Sequence, residues 1–141
     1  MKYITGIHAL NLNCSLETCG DWHQSAIQWE KPFMRDIRDS IFGSYGIEGN
    51  VKIPGCNGLY FAANHIRALL DLLELGKFTI AQGMRDDFIC NPLYTQEIFW
   101  QVAKLKSSPL WTQIDDFMKR EYRGQWLDFE GGMNLYENLQ Y

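Results

Sequence analysis

Between positions 14 and 23 the chain reads CSLETCGDWH, and five of these ten side chains can bind a metal or move a proton: Cys14, Glu17, Cys19, Asp21 and His23. Zinc is held tetrahedrally by thiolate and imidazole, so Cys14, Cys19 and His23 form a possible ligand set, completed by His65, Cys56 or water. The C-x4-C-x3-H spacing lacks the close C-x2-C pair that prearranges two thiolates, and no second pair follows downstream. A redox or nucleophilic role falls to Cys14 or Cys19, with Cys19, Asp21 and His23 as the catalytic candidates. The plainer reading makes Gly20-Asp21 a turn anchored by Trp22, with the cysteines acting as small buried apolar residues. Without an export signal, the four cysteines are expected to be reduced.

A second candidate lies where G-C-N-G at 55–58 precedes a helix. Main-chain N–H groups at a helix start can hold an anion, which Gly58, Asn64, His65 and Arg67 would surround. Neither G-x-x-x-x-G-K-[ST] nor G-x-G-x-x-G is present, so no phosphate motif of defined geometry supports it. A hydrogen-bonded core histidine is the plainer reading of His65. Asp86-Asp87 reads as a solvated turn. The C-terminal stretch offers a third kind of site: Leu135, Tyr136 and Tyr141 are too apolar for an inert tail and are the candidate partner-binding residues.

These groups must be positioned by a few elements. NHIRALLDLLELG at 64–76 is the clearest, with Ile66, Leu69, Leu70 and Leu73 at helical spacing, further apolar residues around the cylinder and Gly76 as its left-handed cap. Its thin polar strip holds Arg67 and Asp71, four apart as a possible surface pair. A helix this apolar belongs in the interior. Lys2 to Leu12 alternates as a strand, Ser25 to Glu30 suits a short strand, and Val51 to Ile53 and Lys77 to Gln82 (KFTIAQ) read as strands. Phe33 to Ile41 fits a helix or an edge strand equally. Thr95 caps a helix to about Lys106, and Ser108-Pro109 opens another carrying Ile114, Phe117, Met118 and Tyr122 inward. Lys119, Arg120 and Arg123 form a small basic cluster on its solvated side.

The expected architecture is an α+β domain in which a small, mostly antiparallel sheet packs on the central buried helix at about 64–76, with a C-terminal antiparallel helix pair. Residues 1–127 form one domain, followed by an acidic amphipathic tail at 128–141 with a hinge at Gly131-Gly132.

The 46% apolar content excludes disorder over most of the chain, and the 14% aromatic content, with five Trp and seven Tyr, suits a binding surface. A net charge of −4 argues against broad phosphate contact, so nucleic acid is an unlikely partner. Three of those four charges fall in the last fourteen residues, which contain no Lys or Arg. No apolar run reaches the ~20 residues needed to cross a bilayer, and the N-terminus lacks a signal-peptide pattern, so no membrane is expected and the setting is read as cytoplasmic. The leading expectation is a small protein-binding or regulatory protein, inhibitor-like, antitoxin-like or an assembly partner, that recognises another protein or forms a homo-oligomer. The alternative is a small enzyme or metal-binding protein using the Cys/Asp/His group at 14–23. No cofactor other than zinc is suggested.

Overall fold

The computed structural model describes residues 1–20 and 24–139, with the side chains of Tyr136, Asn138 and Leu139 outside that description. Its elements in order are β1 (Lys2–Ile4), α1 (Gly6–Leu10), β2 (Met34–Asp36), β3 (Ile47–Val51), β4 (Tyr60–Ala63), α2 (His65–Glu74), α3 (Phe78–Ala81), a wide helical turn at Met84–Ile89, then α4 (Thr95–Ala103), α5 (Trp111–Tyr122) and α6 (Gly124–Leu139). Short 3-10 turns occupy Gln24–Ala26, Ile37–Asp39 and Pro92–Tyr94. The fold is α+β. Its mixed sheet has the order β2-β1-β4-β3, antiparallel at both outer pairs and parallel between β1 and β4.

Helix α2 is enclosed, with every residue from His65 to Leu73 buried. Asn64 caps its start by accepting the Arg67 N–H at 2.9 Å. At its end Gly76 adopts φ +76°, while the N–H groups of Gly76 and Lys77 donate to the carbonyls of Leu73 and Leu72. That pair of bonds satisfies carbonyls the helix would otherwise leave open.

Several short strands expected from alternation are helical turns instead. Lys2 to Leu12 breaks at Gly6, whose φ of +60° bends the chain into α1, so that Gly6, Ala9 and Leu10 turn inward together. Short apolar runs fit both periods, and here packing chose the helical one. Likewise KFTIAQ forms α3, because Phe78 meets the Phe117 ring at 5.9 Å and Ala81 is fully covered, three residues on along the same face. Residues 24–26 form a 3-10 turn where a strand was expected, and β3 lies earlier than the expected Val51–Ile53 strand.

The late helices gather round an aromatic cluster. Phe99 of α4 meets Tyr122, Trp126 and Phe129 at 5.0, 5.1 and 5.3 Å between ring centres. Trp126 is fully buried, and its indole N–H donates to Asp115 at 2.8 Å. These contacts dock α6 by Trp126, Phe129 and Met133, three positions of one helical stripe. Helix α6 runs unbroken through Gly131-Gly132, the expected hinge, and among the late helices α5 packs chiefly on α6. Among the described residues no helix is long and apolar enough to cross a membrane.

Candidate functional site

The cysteine-rich segment divides differently from the zinc reading. Cys19 is joined to Cys90 in a disulfide, with the Cys19 N–H donating to the Phe88 carbonyl at 2.9 Å. This corrects the expectation of four reduced thiols, and in this state Cys19 serves as neither nucleophile nor metal ligand. The bond eluded the sequence because its two halves lie 71 residues apart. Asp21, His23 and Tyr141 lie outside the described residues. Among those described, no three His, Cys, Asp or Glu side chains are placed to hold a metal ion.

Cys14 remains a free, half-buried thiol, and its neighbour is His65 at the start of α2. His65 Nε2 lies 2.6 Å from the Leu12 carbonyl, which can only accept, so the ring proton sits on Nε2. Nδ1 then accepts from the Thr18 hydroxyl at 2.5 Å, and Cys14 Sγ stands 4.0 Å from that hydroxyl. Partial burial pushes the Cys14 thiol up, but its interactions with the His65 ring and main chain outweigh it and bring it below the usual thiol range. Gly20 packs on the other side of the ring: a Cβ there would lie 2.4 Å from His65 Cε1 and 2.7 Å from the Leu10 carbonyl. The zinc reading groups Cys14 with His65 on ligand type alone; their meeting here is set by the fold.

The proposed anion set is committed to other partners. Asn64 is the cap of α2, and Gly58 is exposed beside the Tyr60 ring. Arg67 is fully buried; Nε donates to Asp71 at 2.9 Å, Nη1 to the carbonyls of Gly43 and Tyr45 at 2.7 and 2.6 Å, and Nη2 to the Tyr3 hydroxyl at 2.8 Å. Asp71 accepts also from Tyr3, Thr5 and Arg35 at 2.7, 2.7 and 2.8 Å. Arg35 reaches on to Glu74 at 2.9 Å, so two guanidinium groups balance two carboxylates. The register that sets Tyr3 opposite Arg35 delivers both to Asp71. Such a saturated network fixes the sheet on α2 and leaves little with which to bind a ligand.

A different surface is open. On α6, Leu127 and Leu135 are 53% and 61% exposed, and between them in sequence Gly131 and Gly132 leave a notch; among the described residues a Cβ at either glycine would meet nothing within 4 Å. Trp100 of α4, 55% exposed, stands beside the notch with its ring edge-on to Phe129 at 5.0 Å. Trp100, Phe129, Gly132, Met133 and Asp128 enclose a cavity of about 360 Å³ there. Of the partner-binding candidates only Leu135 has a described side chain, and it is exposed on the same helix without lining this cavity. Trp100, Leu127 and the two glycines were not singled out for binding, because a helical sequence does not reveal which of its apolar residues the rest of the chain leaves uncovered.

No protein-family model matches the sequence, and neither curated proteins nor solved structures provide a match.

Proposed function

We propose that this chain recognises another protein through the exposed face of α6 and α4, taking a basic amphipathic helix across the Gly131-Gly132 notch. The observation that carries the reading is the paired leucines flanking two glycines beside an exposed tryptophan. Leu127 and Leu135 stand eight helical steps apart, about 12 Å along the axis, close to the width of one helix with its side chains. Each glycine costs its helix about 1 kcal/mol relative to alanine. Among the described residues no atom lies within 4 Å of where a Cβ would sit on either glycine, so close contact with a partner backbone accounts for their presence. The charge of the occupant follows from Asp128 at the edge of the cavity: α6 holds no Lys or Arg to balance it, whereas Glu137 is paired with Lys106 at 2.9 Å. That pattern favours a positively charged partner and disfavours a second copy of the same face.

The test places a photo-crosslinking residue at Leu127, with Lys52 on β3's flank as the control position, in cells that make the protein. Crosslinks from position 127 to one basic protein, lost on Gly132→Leu while the melting temperature holds, support the reading. Equal crosslinking from both positions, or binding of the purified partner unchanged by Gly132→Leu, overturns it. The enzyme alternative lacks a comparable observation, since Cys19 is bonded and Cys14 has no described acid–base partner beyond His65 and Thr18.

A further inference from the structure

A second cavity, of about 300 Å³, opens on a different part of the molecule, between the wide turn at Met84–Ile89, the following connection and the junction of α5 with α6. Its lining mixes apolar Ile89 and Pro92 with Arg85, Asp86, Gln125 and Tyr122. Tyr122 decides what this cavity is for. The residue is 2% exposed, yet among the described residues its hydroxyl has no hydrogen-bond partner. A buried, unpaired hydroxyl costs about 1–3 kcal/mol, and the great majority of such groups are satisfied by protein or by a bound molecule.

The charges at the rim identify what would satisfy it. Burial, reinforced by the nearby charge of Glu121, pushes the Tyr122 phenol above its ordinary value and Arg85 only partly offsets this, so the hydroxyl stays protonated and can donate. Glu121 itself is engaged with the main-chain N–H groups of Gly83 and Arg85, both at 3.3 Å. Arg85 and Asp86 form an exposed pair at 3.2 Å, a cation and an anion side by side at the cavity. Exposed pairs of this kind contribute little to stability, so they can exchange each other for a ligand's charges at small cost. The backbone round the cavity is also unusual: Cys90 and Arg123 hold positive φ of 47° and 51°, and the turn bearing Arg85 is wound wider than an α-helix, as helices often are where they carry function.

We infer that this cavity binds a free α-amino acid, its carboxylate taking the Tyr122 O–H and the Arg85 guanidinium and its ammonium taking Asp86. The side chain would lie along Ile89 and Pro92. The volume lies at the lower end of small-molecule sites, as suits a ligand of this size. The site is separate from the helix-binding notch, and neither reading depends on the other.

Saturation-transfer NMR on the full chain, with the free proteinogenic L-amino acids as probes and their N-acetyl amides as charge-free controls, tests this. At least one amino acid is expected to show transfer and its N-acetyl amide none. Tyr122→Phe should weaken that binding about tenfold or more, the effect of losing a hydrogen bond to a charged group. The same variant should melt no lower than the parent, since the hydroxyl it removes is unpaired. Asp86→Asn, at an exposed position, should weaken binding without affecting the fold. Absence of transfer from every amino acid, binding unaltered by Tyr122→Phe, or a clear drop in melting temperature for that variant overturns the inference.

Discussion

Asp71 takes hydrogen bonds from Tyr3, Thr5, Arg35 and Arg67 while fully buried, and the energetics of the sheet–helix contact follow from that one carboxylate. Burying ions is expensive, and the arrangement holds because each charge faces an opposite charge and the hydroxyls fill the remaining lone pairs. Removing one member leaves the others uncompensated. Asp71→Ala is therefore expected to destabilise the fold by about 3–5 kcal/mol, read from the urea midpoint, since both arginines would be left with one fewer counter-charge inside. A loss below about 1 kcal/mol would instead be the behaviour of the exposed i,i+4 pair suggested by the sequence. The spacing of Arg67 and Asp71 was visible in the sequence; their burial was not, because it is imposed by Tyr3 and Arg35 arriving from two strands.

At the scale of elements, α5 and α6 meet through a carboxyl pair. Burial and the hydrogen bond and charge of Asp115 raise Glu130 from 4.5 to about 7. Asp115 is itself held below its usual range, because hydrogen bonds from Glu130, Trp126 and Lys119 outweigh its burial. The native protein thus keeps a proton on Glu130 that the unfolded chain releases. Stability from this source is fully present below about pH 4.5 and is lost as pH rises through about 7. Asp115 contributes with the opposite sign, its stability being lost as pH falls below its unfolded value. Urea midpoints at pH 5 and pH 8 should differ in favour of pH 5, and Glu130→Gln should shrink that difference. An unchanged difference in the variant would assign the pH dependence elsewhere. If α6 loosens as Glu130 ionises, the notch it carries loosens with it, which links pH to the proposed recognition surface.

For the whole molecule, the Cys19–Cys90 bond joins the segment after α1 to the end of the wide turn, closing a long stretch that includes the sheet's last strands and α2. Closing a loop of this length limits the unfolded chain and stabilises the native one by up to about 4 kcal/mol. Reduction should lower the urea midpoint correspondingly, and Cys19→Ser with Cys90→Ser should reproduce the effect of the reductant. If reductant leaves the midpoint unmoved, the bond does not constrain the chain in solution. Disulfides persist in oxidising compartments and are rare in the cytosol, so the redox state of the purified chain also bears on the cytoplasmic expectation.

Some of this architecture could be read from residues alone. The helix from Asn64 to Gly76 declared its cap, its apolar stripe and its left-handed end, and the stripes of α4 and α5 were visible in Ile98, Phe99 and Val102 and in Ile114, Phe117 and Met118. Local signals sufficed because capping and helical periodicity depend on neighbours within a few positions. Short segments such as KFTIAQ and the run after Gly6 satisfied both periods, so their state was decided by what they packed against. The pairing of Cys14 with His65, the bond from Cys19 to Cys90, the burial of Arg67 and the unpartnered hydroxyl of Tyr122 all join or separate residues far apart in the chain. No local pattern encodes such meetings; the tertiary fold alone sets which side chains face one another and which are left facing outward.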